Sequence, residues 1–436
     1  MQITLKNVGF ISEAEVGLAG LNVIAGPNGT GKSTVGKTVY TIIKSISDCD
    51  SIVNEHREII INSLCRAIFF GMKNDLEIAQ RNLSSKNSGD MKILMDNFNF
   101  PFAKLLINFL QNNEYELARE LIINNMELVD SFSSLEDKSK SSAKKNLNDL
   151  LCIFIAIDRN DKIKQSLKFM YRQMFQQQIN NLNDHETSEI FFNSLGNNLK
   201  YHVSNNIETL SFSDRLVVDD IGDYLEQSII PKATFIDTPL ILQIAKGSNL
   251  PFYWNDLINK LKDNSINNAE SDVCGQIYNK LSEILGGELV YNDDKQDFYF
   301  VPKGTDNKLH VNNMASGEKM LGILQKMAKI GLLSPDHLLI LDEPENHLHP
   351  EWQVRLAELL IILANYSVPI LLTTHSATLI DALQEFAEAK GISDRTRFYF
   401  ADQSSGTIKD VSFFENDKDV IFESFYNAKR FLPDLP

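Results

Sequence analysis

Three short stretches of this 436-residue chain carry residue types that could act together on a phosphate. The first, Gly26-Pro27-Asn28-Gly29-Thr30-Gly31-Lys32-Ser33-Thr34, has the spacing GxxxxGK[ST]. Its glycines let successive backbone amides converge on phosphate oxygens. Lys32 can then reach the terminal phosphates, and the Ser33 hydroxyl can ligate magnesium. A helix beginning near Gly31 adds its positive dipole end. The second stretch, His337–Pro350, reads HLLILDEPENHLHP and places Asp342 and Glu343 directly after four apolar residues. One acid could hold a metal while the other acts on water. The third, Pro369–Ser376, is another apolar run with a polar tip, PILLTTHS. Coming one helix after the acidic stretch, His375 is placed to sense a γ-phosphate.

These residues need strands and helices to hold them. Leu21, Val23 and Ile24 form a strand running into the glycine loop, after a hairpin in which Ile3 and Leu5, then Ile11, Ala14 and Val16, alternate with polar neighbours. Leu338–Leu341 is a short apolar run of the kind that becomes a buried parallel strand. Its carboxyl end lies where ligands bind in open α/β sheets. Lys232–Pro239 reads as a further core strand, and Gly287–Tyr291 with Phe298–Pro302 as a hairpin. Ser316 is read as the N-cap of a helix whose apolar face is Leu321, Leu324, Met327 and Ala328. From about Asp48 to Phe192 the sequence turns helical: Phe102, Leu105, Leu106, Phe109 and Leu110 fall on one face. Within it Ser131–Lys145 reads as an exposed loop, Leu150–Ile157 as a segment buried all round, and Phe169–Leu182 as amphipathic. The tail is expected to hold strands at Arg397–Ala401 and near Ile408–Phe413, then a helix near Val420–Phe431.

Composition narrows the function classes. Hydrophobic content of 43% and charged content of 23% are ordinary for a soluble globular protein. A net charge of −16 argues against a broad non-specific hold on nucleic acid, while leaving room for a local basic groove. The four cysteines, Cys49, Cys65, Cys152 and Cys274, lack CxxC spacing, so neither a zinc cage nor a disulfide framework is expected. The longest apolar run, Leu150–Ile157, falls far short of the ~18 residues a membrane span needs, and Met1–Phe10 lacks the basic start and apolar core expected of a signal peptide. A cytoplasmic location without membrane contact is the expectation. His347 and His349 have no third ligand at a metal-site spacing, and Asp417-Lys418-Asp419 reads as solvated surface.

The order GPNGTGKST, ASGEK, LLILDEPENHLHP and LLTTHS resembles the ABC-type ATPase head of SMC, RecF and OLD-like proteins. The EPENHLHP wording looks most like the OLD-like branch, which includes ATPase subunits of bacterial anti-phage systems such as Septu and PARIS. The resemblance implies an α/β fold, a P-loop ABC-type ATPase head with a mixed sheet flanked by helices and a large α-helical insertion. Its parts would be an N-terminal lobe segment at 1–47, the insertion at 48–195, return strands at 196–239, a signature-bearing helical lobe at 240–335, and a C-terminal lobe segment at 336–436. ATP and Mg2+ would be the cofactors. Gly26 to Thr34 would bind nucleotide, Ser33 and Asp342 would hold the metal, and Glu343 would be the general base. Lys32 and His375 would assist it. Ser316, Gly317 and Glu318 would cap the γ-phosphate of a second subunit, which implies an ATP-sandwich homodimer with Asn346–Pro350 along its seam. The signature differs from the transporter form LSGGQ, with Glu318 at the second glycine, and His349 replaces the transporter D-loop aspartate. No glutamine linking metal to the helical lobe is evident, and Asp237 or Thr238 is the candidate for that place.

The resemblance implies a sensor or regulator ATPase of an anti-phage complex. The stretch after His375 is too short for a TOPRIM nuclease, so the effector, a nuclease or toxin, would be separately encoded. Three other readings compete: a DNA-repair or chromosome-maintenance ATPase of the SMC/RecF type, a transporter ATPase, and a scaffold that binds ATP without hydrolysing it. The acidic balance and the lack of a long heptad repeat weigh against the first. The D-loop wording weighs against the second.

Overall fold

Apolar runs with no polar interruption become the central strands of the protein. The computed structural model describes residues 1–82, 88–132, 135–175, 188–194, 197–204, 207–214, 232–244, 250–264, 273–346 and 348–412. The expected tail helix at Val420–Phe431, Asp417–Asp419 and His347 lie outside them. Contacts divide the chain into two units, Met1–Ser47 with Met170–Pro436, and Asp48–Phe169.

The first unit is α/β and built on an eleven-stranded mixed sheet. One end of the sheet is parallel: β3 (Leu21–Ala25), β7 (Lys232–Ile236), β11 (His337–Asp342), β12 (Ile370–Thr374) and β13 (Thr396–Ala401) lie in the spatial order β13-β3-β12-β11-β7. Every residue of β3, β11 and β12 is buried, as expected of strands covered on both faces. β1 (Gln2–Val8) and β2 (Ile11–Gly17) form the expected hairpin, with Leu5 opposite Ala14. Period-two alternation sends Ile3, Leu5, Ala14 and Val16 inward. β14 (Thr407–Asp410) joins β2 to β13. β4 (Ser188–Ser194), β5 (Asn197–Ser204) and β6 (Ile207–Asp214) extend the sheet antiparallel from β1.

Helix α1 (Lys32–Ser47) follows β3 directly. Helices α11 (Pro350–Asn365) and α12 (Ala377–Lys390) make the crossovers between β11, β12 and β13. Leu339, Leu341, Leu360, Leu363 and Leu372 share one core with the residues of a smaller layer. That layer holds α8 (Phe252–Lys262), α9 (Val273–Leu285), α10 (Ser316–Lys329) and a three-stranded sheet of β8 (Gly287–Asn292), β9 (Asp297–Pro302) and β10 (Leu309–His310). The fully buried Gln325 ties α10 to it. Its Oε1 accepts from the Leu289 amide at 3.0 Å, and its Nε2 donates to the Gly287 carbonyl at 2.8 Å and to Ser282 Oγ at 2.9 Å.

The second unit is helical: α2 (Cys49–Asn82), α3 (Ser88–Phe98), α4 (Phe100–Gln111), α5 (Tyr115–Ser131), α6 (Asp137–Ile153) and the first part of α7 (Arg159–Phe175). Three expectations need correction. The helical insertion expected at 48–195 gives way earlier, because Ile190 and Phe192 alternate inward on β4, which pairs with β1. The Ser/Lys-rich stretch expected as a loop is mostly α6: Ala143, Leu147, Leu150 and Ile153 are buried at helical spacing, so the Ser and Lys residues form its solvated face. Leu150–Ile157 is not buried all round, since α6 ends at Ile153 and Ile155 is exposed.

Candidate functional site

The loop Gly26–Gly31 connects the carboxyl end of β3 to α1. Gly31 has φ +87, and a Cβ there would meet Ile11 Cγ1 at 2.6 Å, so both backbone angle and space demand glycine. Thr30 Oγ1 donates to the Pro27 carbonyl at 3.0 Å and closes the loop. Lys32 is buried; its Nζ donates to the carbonyls of Gly26 at 2.8 Å and Pro27 at 2.7 Å and lies 3.5 Å from Glu343 Oε1. Burial lowers its pKa, and the charge of Glu343 opposes that shift.

Parallel pairing sets Asp342 at the end of β11 opposite Thr373 of β12. The Thr373 hydroxyl donates to Asp342 Oδ1 and accepts from the Glu343 amide at 3.2 Å, while the Thr373 carbonyl accepts from that same amide at 3.0 Å. Burial pushes the Asp342 carboxyl up, whereas hydrogen bonds from the Thr373 and Ser33 hydroxyls draw it down. Glu343 has φ +49, a left-handed backbone rare for its type and common where side chains are aimed at a site. The turn points its carboxylate between Lys32 and His375. Oε2 lies 3.4 Å from His375 Nδ1 and accepts from Asn346 Nδ2 at 3.2 Å. The His375 ring beside it, offset by burial and helped by Asn346 and Lys32, holds this carboxyl down at about 2. In return Glu343, against the effect of burial, raises the imidazole above its ordinary value.

Lys32, Ser33, Asp342, Glu343 and His375 therefore meet across the carboxyl ends of three adjacent strands. Residues 1–380 match the family described as AAA ATPase domain. The chain belongs to that family. The match runs through the helical unit as well as the phosphate loop, the acidic strand and His375. No curated protein matches the sequence. Among solved structures, an SMC head bound to the C-winged helix domain of ScpA is similar at 13% identity and a TM-score of 0.44, covering 96% of this chain and 98% of that one. The SMC head domain from Thermotoga maritima is similar at 12% identity and a TM-score of 0.38, covering 94% and 97%.

In this AAA ATPase domain the remaining expected residues occupy separate places. Asn28 and Gly29 are exposed at the tip of the phosphate loop. Thr34 is in the first turn of α1, its amide donating to the Gly31 carbonyl at 2.9 Å. Ser316 is the first residue of α10 and not its cap; Ala315 has the extended backbone of an N-cap, and Glu318 Oε2 accepts from the Ala315 amide at 3.0 Å. Gly317 faces Leu348 and Trp352, where a Cβ would stand 3.1 and 3.6 Å from their side chains. His349 caps α11 by accepting from the Glu351 amide at 3.3 Å. Among the described residues no group of three His, Cys, Asp or Glu could hold a metal. Ser33 and Asp342 are nevertheless the hard oxygen pair that suits Mg2+, which takes few protein ligands and completes its shell with water and phosphate. Among the described residues no helix is long and apolar enough to cross a membrane.

Asp237, at the end of β7, accepts from the Tyr253 hydroxyl at 2.9 Å and from Trp254 Nε1 at 2.7 Å, both on α8. Burial, and then Asp237, push the Tyr253 hydroxyl up. Thr238 instead caps the 3-10 turn Pro239–Gln243. Sequence reasoning missed Thr373, Thr374, Glu345 and Gln353, and read Asn346 only as the start of a dimer-seam turn. All stand inside or beside the motifs, but the partners of Thr373, Thr374 and Glu345 are fixed by the side-by-side placement of β11 and β12. Gln353 links two of these segments: its Nε2 donates to the Leu348 carbonyl at 3.1 Å and its Oε1 accepts from Ser376 Oγ at 2.6 Å.

Proposed function

We propose that the protein binds and hydrolyses ATP with Mg2+ as a nucleotide-dependent homodimer, and that it serves as sensor or regulator of an anti-phage complex whose effector is a separate protein. The observation that carries the hydrolytic part is the placement of the Glu343 carboxylate between the Lys32 ammonium and the His375 ring. Lys32 would bind the terminal phosphates. Mg2+ held by Ser33 and Asp342 would supply charge neutralisation at those phosphates. Glu343, kept ionised, would orient the attacking water and take its proton late, while His375 would contact the γ-phosphate. Phosphoryl transfer asks chiefly for positioning and electrostatic stabilisation, and these groups provide both. The α10 N-terminus, with Ser316 and Gly317, would act as an anion site for the second subunit's nucleotide. The defence role draws on the EPENHLHP wording alone.

Multiple-turnover phosphate release by the purified chain, with and without EDTA, tests the chemistry. Sustained, Mg2+-dependent release is expected. ATP binding without turnover would favour the scaffold reading. Plaque counts with and without the neighbouring genes test the defence role, and protection that ignores loss of this gene would count against it.

A further inference from the structure

Glu345 stands apart from the residues assigned so far. It is buried to 4% exposure, whereas the Glu343 side chain is 22% exposed. Its Oε1 accepts from the Thr374 hydroxyl at 2.6 Å and from the His375 amide at 2.9 Å, and lies 3.4 Å from His375 Nδ1. The same Nδ1 is 3.4 Å from Glu343 Oε2, so the ring faces two carboxylates at equal distance. Glu345 Oε2 has no hydrogen-bond partner among the described residues. A buried carboxylate with an unmet oxygen is costly unless an opposite charge lies close. The imidazole is placed to supply that charge.

We propose that Glu345 is a positioning residue for His375: it fixes the backbone at the tip of β12 and, by its charge, holds the ring as a cation. The proposal deepens the ATPase reading and rests on it. A ring whose Nδ1 proton faces two carboxylates and whose Nε2 also carries a proton donates on its far side, toward a γ-phosphate oxygen. A neutral ring with its proton on Nδ1 would present a lone pair there instead. With Glu345 sharing the ring, Glu343 can turn to water without leaving His375 unpaired.

The charged groups facing the ring are Glu343, Glu345 and Lys32. The two acids raise its pKa, while burial and Lys32 lower it. Burial pushes the Glu345 carboxyl up, and the Thr374 hydroxyl and His375 amide draw it back. The raised imidazole keeps its charge below its folded pKa and loses it as pH rises through that value.

Glu345→Gln retains an oxygen for Thr374 and the His375 amide but removes the charge. The first measurement is the ring titration of His375 by NMR in the full chain, with labelled histidines and the signal assigned using His375→Asn. It is expected to move down by about one pH unit. The second is ATP turnover, expected to fall about tenfold at pH 8 and less than about threefold at pH 6. An unmoved ring titration, or an equal loss at both pH values, overturns the proposal. Glu345→Asp keeps the charge, and its ring titration should stay close to that of the unaltered chain; a titration as low as that of Glu345→Gln would count against the charge. The ring titration needs no hydrolysis. Absence of turnover in the unaltered chain would therefore strike the ATPase reading and leave this measurement standing.

Discussion

Replacing Glu343 by glutamine removes one charge and almost no volume, and the structure gives two separate magnitudes for it. The first concerns stability. A carboxyl held at about 2 instead of its ordinary 4.5 contributes on the order of 3 kcal/mol to the folded state. Because that pKa is depressed, the contribution is present above the unfolded value and is lost as pH falls through about 2. Part of it is offset by the burial of Lys32, so the net loss in Glu343→Gln at neutral pH is smaller, and the variant should fold. The second concerns rate. General-base groups contribute about 10² to 10⁴. A base held at about 2 is a weak proton acceptor, so its charge and its aim toward water carry most of the effect, and glutamine keeps part of the aim. The expected loss is therefore in the lower half of that range, about 10² to 10³, or ~3–4 kcal/mol on the barrier. The assay is phosphate release under multiple turnover, beside ATP affinity and ATP-dependent dimer mass by light scattering. Slow turnover, unimpaired ATP binding and an accumulated dimer are expected. Turnover within about threefold of the unaltered chain would remove Glu343 from the mechanism. Loss of ATP binding together with rate would show a structural role instead.

Lys32→Ala should lower the thermal midpoint without nucleotide, because the Gly26 and Pro27 carbonyls and Glu343 lose their cation, and should abolish the upward shift that ATP gives; a persisting shift in a thermal melt would exclude Lys32 from the phosphate site. Thr373→Val takes one hydrogen bond from the Asp342 carboxylate while the Glu343 amide keeps the residue 373 carbonyl, so a stability loss of about 1 kcal/mol by urea titration is expected, with weaker Mg2+ dependence of turnover. Gly317→Val crowds Leu348 and Trp352 and is expected to cost about 1–3 kcal/mol; light scattering should show the ATP-dependent dimer lost while a fluorescent nucleotide still binds.

The phosphate loop, the acidic strand and the polar tip holding His375 are legible in the chain because each is local. Glycine spacing dictates a loop, and unbroken apolar runs dictate buried strands. The first hairpin, the strand at Lys232–Ile236 and the hairpin at Gly287–Pro302 follow from the same period-two patterns. The Ser/Lys-rich stretch misleads because polar composition marks a solvated helix face as readily as a loop; only the burial of Ala143 and Leu147 separates them. Ile190 and Phe192 mislead in the opposite sense, since a short alternating segment beside a long helical region becomes a strand only through pairing with β1. Asp342 and Glu343 announce themselves as acids, yet nothing local says which holds a metal and which faces water. The register that sets Thr373 against Asp342, and the left-handed turn at Glu343, put the first carboxylate against a hydroxyl and the second between Lys32 and His375. Glu345 shows the limit most clearly: its type is written in the sequence, but its burial and its shared distance to the His375 ring exist only once β11 and β12 lie side by side.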